Sequence, residues 1–422
     1  MAIKNINVKN FKSFKEIEIN LNKFNVLIGA NASGKSNFIQ IFKFLRDVIQ
    51  LGLDNAISLQ GGLEYLRNIN IGHYENFSVN ISMDSDSGFI ARRIKKELIG
   101  IKTYESNYAF TMMFVNKDKD FEIIQDKLTQ KCDFFSFKEY KEELKEKEML
   151  GKGEIIYKND NGKLSMNIKK PSKVPIEKED ILPKFIMEEK IPLKTLLLEN
   201  PIVLLHPVEK IFNDFAIYDF DPKLPKKATP ITGKADLEED GSNLSIVLKN
   251  ITAEKSKKRT FCNLISELLP FIDDVDVERF ADKSLLFKLR EKYFKSDYLP
   301  ASFISDGTIH ITAMILALFF GKKPITIIEE PERNIHPYLI SKLVKLMMDA
   351  SRKEQMVNKQ IIITTHNPEI VKNAGMENLL LVARNEDGFS VVSRPIDKEE
   401  VKTFLKNKIG IEELYVQSLL EV

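Results

Sequence analysis

The sequence has few cysteines and no long apolar run. Its two cysteines, Cys132 and Cys262, lie far apart and form no C-x-x-C pair. Neither a structural zinc site nor a disulfide framework is therefore expected. The most apolar run, MILALFF, is too short to span a membrane, and the N-terminus has no apolar signal segment. We expect a cytoplasmic protein without a membrane partner.

A strong net charge is also missing. The 63 Lys and Arg residues are balanced by 61 Asp and Glu residues, which leaves a net charge of +2. Bulk charge therefore does not argue for a nucleic-acid partner, although a local basic face is compatible with it. The 422 residues are 43% hydrophobic and 29% charged, which is typical of a globular chain with two or three lobes. The sequence contains no internal repeat or low-complexity tract.

What the sequence does contain is a phosphate-loop pattern, GANASGKS, at residues 29–36. In G-x-x-x-x-G-K-[ST], backbone N–H groups surround a triphosphate, the lysine reaches the β- and γ-phosphates, and the hydroxyl holds Mg²⁺. The flanks, FNVLI before it and an apolar helical pattern after it, favour this function over a surface turn that matches by chance. The predicted nucleotide-binding residues are Gly29, Asn31, Ala32, Ser33, Gly34, Lys35, Ser36 and Asn37.

Two polar segments follow apolar runs that are typical of buried strands. In PITIIEEPERNIHP (324–337), Glu329 is placed to hold Mg²⁺ and Glu330 to activate the attacking water. In IIITTHNP (361–368), His366 is placed to contact the γ-phosphate or that water, because parallel strands bind ligands at their carboxyl ends. Alternatively, Glu329 and Glu330 are surface acids without a catalytic function, and His366 is a surface or core histidine without one.

A third segment, FISDGT (303–308), precedes a strongly apolar helix predicted over residues 309–320. Ser305 and Gly307 at a helix N-terminus make an anion site. The same residues are equally typical of a simple helix cap.

The remaining patterns predict a mixed α/β chain that is split by a long insertion. Residues 1–22 have the pattern of a β-hairpin. Buried strands are predicted at 24–28, 325–328 and 361–365. The D-N-G sequence within 153–168 predicts a hairpin turn. The run KEYKEELKEKEML (138–150) predicts a helix within the insertion.

The motifs, in order, resemble those of one family. They are NFKSF (10–14), GANASGKSN (29–37), GSNL (241–244), SDGT (305–308), EEPE and IHP (329–337) and TTHNPEIV (364–371). This set resembles the ABC-type ATPase heads related to RecF, the OLD nucleases and the SMC proteins, above all the predicted ATPases of prokaryotic defence systems. The resemblance implies a P-loop α/β head with a mixed or parallel core sheet, an antiparallel β lobe and a helical and β insertion. The resemblance implies three parts. Residues 1–90 form the N-terminal half of the head with the phosphate loop, and residues 91–200 form the inserted lobe. Residues 201–422 form the C-terminal half, with the signature segment SDGT (305–308), the Walker B acids Glu329 and Glu330, and the switch histidine His366.

The resemblance also implies a mechanism with ATP and Mg²⁺. Two heads would pack head to tail in a homodimer or a higher homo-oligomer. Lys35 and Ser36 of one head would then face Ser305 and Gly307 of the other across each γ-phosphate. Residues 334–336 would lie at this contact. A metal-ligand glutamine is expected as well, and Gln60 in SLQGGLEYLR is the candidate, with Arg67 as a phosphate contact. A plain hairpin turn is an equal alternative there.

The expected function is an ATPase switch in an anti-phage defence or DNA-maintenance complex, controlling a separate nuclease or toxin. The segment after His366 is too short for the nuclease domain of OLD proteins, and no heptads or C-x-x-C hook are present. The alternatives are a stand-alone RecF-like ATPase that binds nucleic acid and a catalytically idle, nucleotide-bound scaffold. Aromatic residues of the insertion predict either a partner-docking surface or a local core: Phe134, Phe135, Phe137 and Tyr140.

Overall fold

A computed structural model describes residues 2–84, 89–94, 97–117, 119–140, 143–188, 190–199, 215–280, 283–294, 296–352, 359–407 and 409–420. The chain folds into two compact units. The first unit comprises Met1–Asn22, Ser36–Asp214 and Ala383–Val392, and the second comprises Lys23–Lys35, Phe215–Val382 and Ser393–Val422. The division of the chain at residues 90 and 200 stays a prediction.

Runs of strands and runs of helices follow one another along the chain. The strands are β1 (Ala2–Phe11), β2 (Phe14–Asn20), β3 (Phe24–Ile28), β4 (Phe77–Asp84), β5 (Phe89–Ile94), β6 (Glu97–Val115), β7 (Asp120–Tyr140), β8 (Glu143–Asp160), β9 (Lys163–Lys169), β10 (Phe215–Tyr218), β11 (Thr229–Pro230), β12 (Ile272–Phe280), β13 (Ser284–Glu291), β14 (Leu299–Pro300), β15 (Ile325–Glu329), β16 (Gln360–Thr364), β17 (Leu379–Arg384) and β18 (Ser390–Ser393). The helices are α1 (Lys35–Leu51), α2 (Leu53–Leu59), α3 (Leu63–Leu66), α4 (Lys178–Ile181), α5 (Lys184–Met187), α6 (Leu244–Thr252), α7 (Lys255–Leu268), α8 (Asp306–Ile315), α9 (Pro337–Arg352), α10 (Pro368–Ala374), α11 (Glu399–Lys406) and α12 (Ile411–Val416). None of the helices in the described ranges is long and apolar enough to cross a membrane.

The second unit is built on a parallel sheet with strand order β10-β15-β16-β3-β17. All five residues of β3 and all five of β16 are buried, which is typical of parallel strands covered on both faces. In the register, Glu329 pairs with Thr364, and Thr364 pairs with Leu27. The carboxyl ends of β15, β16 and β3 therefore meet at one edge, and the three strands predicted from the sequence are confirmed. A small antiparallel sheet of β11, β12, β13 and β14 belongs to the same unit.

The first unit contains the strand order β18-β2-β1-β4-β6-β7-β8-β9, with β5 on β6. Its strand pairs are antiparallel, except that β18 pairs with β2 in parallel. The predicted hairpin of β1 and β2 and the predicted D-N-G turn between β8 and β9 are confirmed. The helix predicted over 138–150 is wrong, because β7 and β8 pair there, with Phe137 opposite Glu146. Tertiary pairing overrides local helix propensity, which is only a weak preference.

The aromatic residues of β7 contribute to a local core in the first unit. Phe134 and Phe137 are buried. Their rings lie against glycines of the neighbouring strands, because a Cβ on Gly153 would lie 2.7 Å from the Phe134 ring and one on Gly100 would lie 2.0 Å from the Phe137 ring. These contacts favour the local core over the docking surface for the two residues. The side chain of Tyr140 lies outside the described part of the chain.

A buried lysine lies just before β16 in the second unit. Lys359 is 2% exposed, and its Nζ donates a hydrogen bond to the Ala317 carbonyl oxygen at 2.6 Å. Burial lowers the pKa of Lys359 from 10.5 to about 8. The folded protein therefore loses this proton at a lower pH than the unfolded chain does. Stability rises with pH between the two pKa values, since the unfolded chain binds more protons there.

We expect the variant Lys359→Met to lose this part of the pH dependence. The free energy of unfolding of the unmodified protein should rise between pH 8 and pH 10 by roughly 2 kcal/mol more than that of the variant. Urea unfolding at both pH values measures the difference. Lys345→Met, at an exposed lysine of the same unit, is the matched control and should retain the slope of the unmodified protein. Equal slopes for Lys359→Met and the unmodified protein would contradict the prediction.

Candidate active site

The loop between β3 and α1 has the backbone geometry of a close cradle. Gly29 and Gly34 have φ values of +148° and +120°, and Ala32 has a φ of +61°. A Cβ on Gly29 would lie 2.1 Å from the Val382 carbonyl oxygen. Glycine is required at this position because a side chain has no room and the backbone conformation is strained for other residues. A tightly wound loop with these glycines fits a bound phosphate chain.

Lys35 lies over this loop. Its Nζ donates hydrogen bonds to the carbonyl oxygens of Gly29 and Ala30, at 2.8 Å and 2.9 Å. Burial lowers the pKa of Lys35, and the carboxylates of Glu330 and Glu332 only partly offset this effect. The second unit thus brings the loop cation close to the acids that follow β15. A lysine held over a glycine-rich loop fits the negative charge of a triphosphate.

Glu330 leaves the end of β15 in a left-handed conformation, with a φ of +45°. Its backbone N–H donates to the carbonyl oxygen of Thr364 at 3.0 Å, which fixes this unusual turn against β16. Its Oε1 lies 3.2 Å from Nδ1 of the exposed residue His366. The structure therefore places Glu330 and His366, predicted from separate motifs, within hydrogen-bond distance of each other.

Arg333 contacts the other oxygen of the same carboxylate. Its Nη2 lies 3.0 Å from Glu330 Oε2, and its Nη1 lies 2.7 Å from Asp219 Oδ1. Partial burial acts to raise the pKa of Glu330, but the hydrogen bond from Arg333 and the charges of His366 and Arg333 outweigh burial. The pKa of Glu330 lies below its usual value as a result. The carboxylate is ionised near neutral pH, which is the form that accepts a proton.

Glu332 is a second, more deeply buried acid at this edge. It is 8% exposed and its Oε1 accepts a hydrogen bond from the Thr365 hydroxyl at 2.6 Å. Its Oε2 has no hydrogen-bond partner among the described residues. Burial raises the pKa of Glu332, and Oε1 lies 3.9 Å from His366 Nδ1. Glu332 thus connects the segment after β15 with the segment after β16.

Ser305 is the N-cap of α8, as the sequence predicts. Its Oγ accepts a hydrogen bond from the Thr308 backbone N–H at 3.2 Å. A Cβ on Gly307 would lie 2.5 Å from the carbonyl oxygen of Asn334, the residue before IHP, so the two segments approach closely within one chain. The buried residue His310 strengthens this connection, with its Nε2 3.1 Å from the Pro331 carbonyl oxygen. Burial lowers the pKa of His310 to about 4, and the ring is therefore neutral at physiological pH.

The predicted residues Ser36, Asn37, Gln60 and Arg67 lie in the first unit. The predicted residues Asn31, Ser33 and Glu329 lie in the second unit. Asn37 Nδ2 donates to Ser13 Oγ at 2.8 Å, and the buried side chain of Gln60 lies with its Nε2 3.4 Å from Gln40 Oε1. Oε1 of Gln60 has no hydrogen-bond partner in the described part of the chain. Asn37 and Gln60 line one open cavity of about 530 Å³, together with Lys12, Ser13, Tyr65, Arg67, Asn68, Ile69, Asn70, Arg384 and Gly388. The predicted phosphate contact Arg67 therefore faces the same cavity as Gln60.

Sequence reasoning missed four residues that organise the edge of the sheet in the second unit. Arg333 follows Glu330 by three residues in the run EEPER, and this spacing could have suggested the ion pair between the two side chains. Glu332 and Thr365 also flank the predicted residues. Asp219 had no local signal, since it is separated from Arg333 by more than a hundred residues of sequence.

One family model matches most of the chain. Residues 24–372 match the family model described as "AAA domain, putative AbiEii toxin, Type IV TA system". The chain is 21% identical over 405 residues to Endonuclease GajA of Bacillus cereus (strain VD045). That similarity covers 92% of this chain but only 59% of the relative, so the chain spans about three-fifths of the relative's length.

The fold is also similar to that of solved SMC heads. A crystal structure of an SmcHead bound to the C-winged helix domain of ScpA matches with a TM-score of 0.50 and 15% sequence identity. The match covers 93% of this chain and 98% of that chain. The likeness shows the fold alone, and it confirms the predicted ABC-type ATPase head with a mixed sheet. The family match spans more than half of the chain, and the chain therefore belongs to the family "AAA domain, putative AbiEii toxin, Type IV TA system".

Proposed function

We propose that the protein binds ATP with Mg²⁺, hydrolyses it, and uses an ATP-dependent head dimer as the switch of a multi-protein defence or DNA-maintenance complex. The observation that carries the proposal is the arrangement at the carboxyl ends of β15 and β16. There, Glu330 and His366 lie 3.2 Å apart in the same unit as the loop lysine Lys35. A strand edge that combines a phosphate-binding loop, an ionised acid and an imidazole supports nucleotide hydrolysis.

The side chains divide the chemical work. Glu330 would orient the attacking water and accept its proton, and His366 would hold the carboxylate from one side. Lys35 would stabilise the negative charge of the β- and γ-phosphates. Glu329 is the predicted ligand of Mg²⁺ in this unit, and the bound ion would neutralise charge on the phosphate oxygens. The other two predicted ligands, Ser36 and Gln60, stay predictions from the sequence.

Exposed side chains, one of them in the SDGT segment (305–308), support the proposal of a head dimer. Ser305 is exposed, and so are Phe303 (77%), two residues before it in the sequence, and Tyr338 (70%), in the first turn of α9. Large aromatic side chains at a surface are enriched in protein interfaces. A second copy of the chain would cover them and present Ser305 and Gly307 to its partner's γ-phosphate.

We expect Ser305→Arg to prevent ATP-dependent dimerisation while leaving ATP binding by the single head intact. The bulky cation would replace a small hydroxyl at the proposed contact, whereas Lys35 and its loop remain unchanged. Light scattering of the protein with ATP measures the mass, and titration with a fluorescent ATP analogue measures the affinity. The mutation also removes the α8 cap, which costs about 1 kcal/mol. Ser305→Ala is therefore the matched control, and it should still dimerise.

The complex would contain a separate effector, a nuclease or a toxin. The similarity to a relative named as an endonuclease supports this association. Measurement of multiple-turnover phosphate release from the purified protein tests the proposal. Absence of turnover would favour the idle scaffold, and strong stimulation by DNA or RNA would favour the stand-alone nucleic-acid-binding ATPase.

A further inference from the structure

We infer that Arg333, anchored by Asp219, is a positioning residue that orients the Glu330 carboxylate for the reaction. The inference rests on the proposed ATP hydrolysis and adds two residues to it. Neither residue belongs to the phosphate loop, to the SDGT segment or to the acid pair Glu329 and Glu330. Their role would be exerted through Glu330 rather than through the nucleotide.

The carboxylate of Glu330 is held from both sides. His366 Nδ1 approaches Oε1 at 3.2 Å, and Arg333 Nη2 approaches Oε2 at 3.0 Å. Each carboxylate oxygen has two lone-pair directions, so each retains one position at which it can accept a water proton. Two opposite contacts restrict rotation of the carboxylate more than either contact alone does. Orientation is what a general base needs, because small misplacements of a reacting group are costly.

Arg333 is itself fixed at a second point. Its other terminal nitrogen, Nη1, lies 2.7 Å from Asp219 Oδ1. Asp219 follows β10 directly, and β10 pairs with β15, the strand that ends in Glu329 and leads to Glu330. The guanidinium is planar and its donors have fixed directions, so two contacts through different nitrogens define its plane.

Asp219 is held in place by its own backbone. Its N–H donates to the Glu239 carbonyl oxygen at 2.9 Å, and the N–H of Asp221 donates to the Asp240 carbonyl oxygen at 3.0 Å. These bonds join the segment after β10 to the segment that precedes α6. The position of Asp219 therefore depends on the shape of residues 234–240.

The GSNL motif shapes that segment. Asn243 occupies the N-cap position of α6, but its buried side chain does not cap the helix. Its amide instead makes three hydrogen bonds to the preceding backbone, donating to the carbonyl oxygens of Lys234 (3.0 Å) and Asp236 (2.8 Å) and accepting from the N–H of Glu238 (2.9 Å). A series of contacts thus runs from GSNL through Asp219 and Arg333 to Glu330. It gives the motif a physical role.

Stability alone does not account for this ion pair. The side chains of Arg333 and Asp219 are 41% and 52% exposed, and exposed ion pairs contribute little to the free energy of unfolding. A positioning role instead predicts an effect on turnover without an effect on folding or nucleotide affinity.

The test compares the single variants Arg333→Met (R333M), Arg333→Lys (R333K) and Asp219→Asn (D219N) with the double variant R333M/D219N. We expect R333M to lower kcat by roughly 10- to 100-fold while the Kd for ATP stays within about threefold. R333K should recover part of the loss, since a lysine keeps the charge but reaches one partner only. D219N should lower kcat less than R333M does, and the double variant should match R333M, because Asp219 acts through Arg333.

Arg290→Met is the matched control, because it removes a similar exposed ion pair in the same unit, with Asp273 at 2.7 Å. Its kcat should equal that of the unmodified protein. A crystal structure of R333M supplies a readout independent of activity, and it should show the Glu330 carboxylate displaced from the 3.2 Å contact with His366.

Three results would overturn the inference: an unchanged kcat in R333M, additive effects in the double variant, or an unmoved Glu330 in the crystal structure. If the unmodified protein turns ATP over and R333M does so equally well, only the role of Arg333 fails. Absence of turnover in the unmodified protein refutes the proposed function first, and the inference with it. The two failures are therefore distinguishable.

Discussion

Replacing Glu330 by glutamine should lower the ATP turnover number by roughly 10²- to 10⁴-fold while leaving ATP binding intact. The amide keeps the size of the carboxylate and can still contact the attacking water, but it cannot take its proton. The 3.2 Å contact with His366 and the 3.0 Å contact with Arg333 restrict the orientation of the carboxylate. Steady-state phosphate release measures turnover, and equilibrium titration with an ATP analogue measures binding.

The same variant should accumulate an ATP-bound dimer, since hydrolysis no longer separates the heads. Light scattering at micromolar protein, with and without ATP, detects the change in mass. Glu386→Gln, at an exposed acid of the first unit, is the matched control and should retain full turnover. Full turnover in Glu330→Gln would remove Glu330 from its proposed role, and a monomer in the presence of ATP would count against a shared site.

Replacing Lys35 by alanine should weaken ATP binding by about 100-fold or more, which corresponds to roughly 3 kcal/mol. Lys35 is the cation of the loop, and two acids, Glu330 and Glu332, act on its pKa from nearby. Without the ammonium group these carboxylates would repel the triphosphate. Charge-assisted hydrogen bonds to phosphate are also among the stronger polar contacts in proteins.

A binding loss has to be separated from damage to the loop, because Lys35 also donates to the carbonyl oxygens of Gly29 and Ala30. Thermal unfolding of Lys35→Ala without nucleotide provides that separation, and the midpoint should change by only a few degrees. Lys345→Ala, at an exposed lysine of α9, controls for the loss of one positive charge. Undiminished ATP affinity in Lys35→Ala would show that the loop does not bind the triphosphate.

Local pattern was sufficient for the elements that surround the candidate site. The buried strands β3, β15 and β16, the loop with Gly29 and Gly34, and the cap at Ser305 all follow from short-range chemistry. A fully buried parallel strand needs a continuous apolar run, a cradle needs glycine, and a helix start favours a hydroxyl. Local pattern failed at 138–150, where helix-favouring residues pair as strands because β7 and β8 supply backbone hydrogen bonds to each other.

The sequence by itself determined the order of the motifs, the identity of the acids and the loop cation, and the family. Only the tertiary structure decided which side chains meet: His366 with Glu330, Thr365 with Glu332, and Asp219 with Arg333. The physical reason is that β10, β15 and β16 are neighbours in space but not in sequence. The parallel register brings their carboxyl ends to one edge, and contacts at that edge depend on register and burial, which no local spacing encodes.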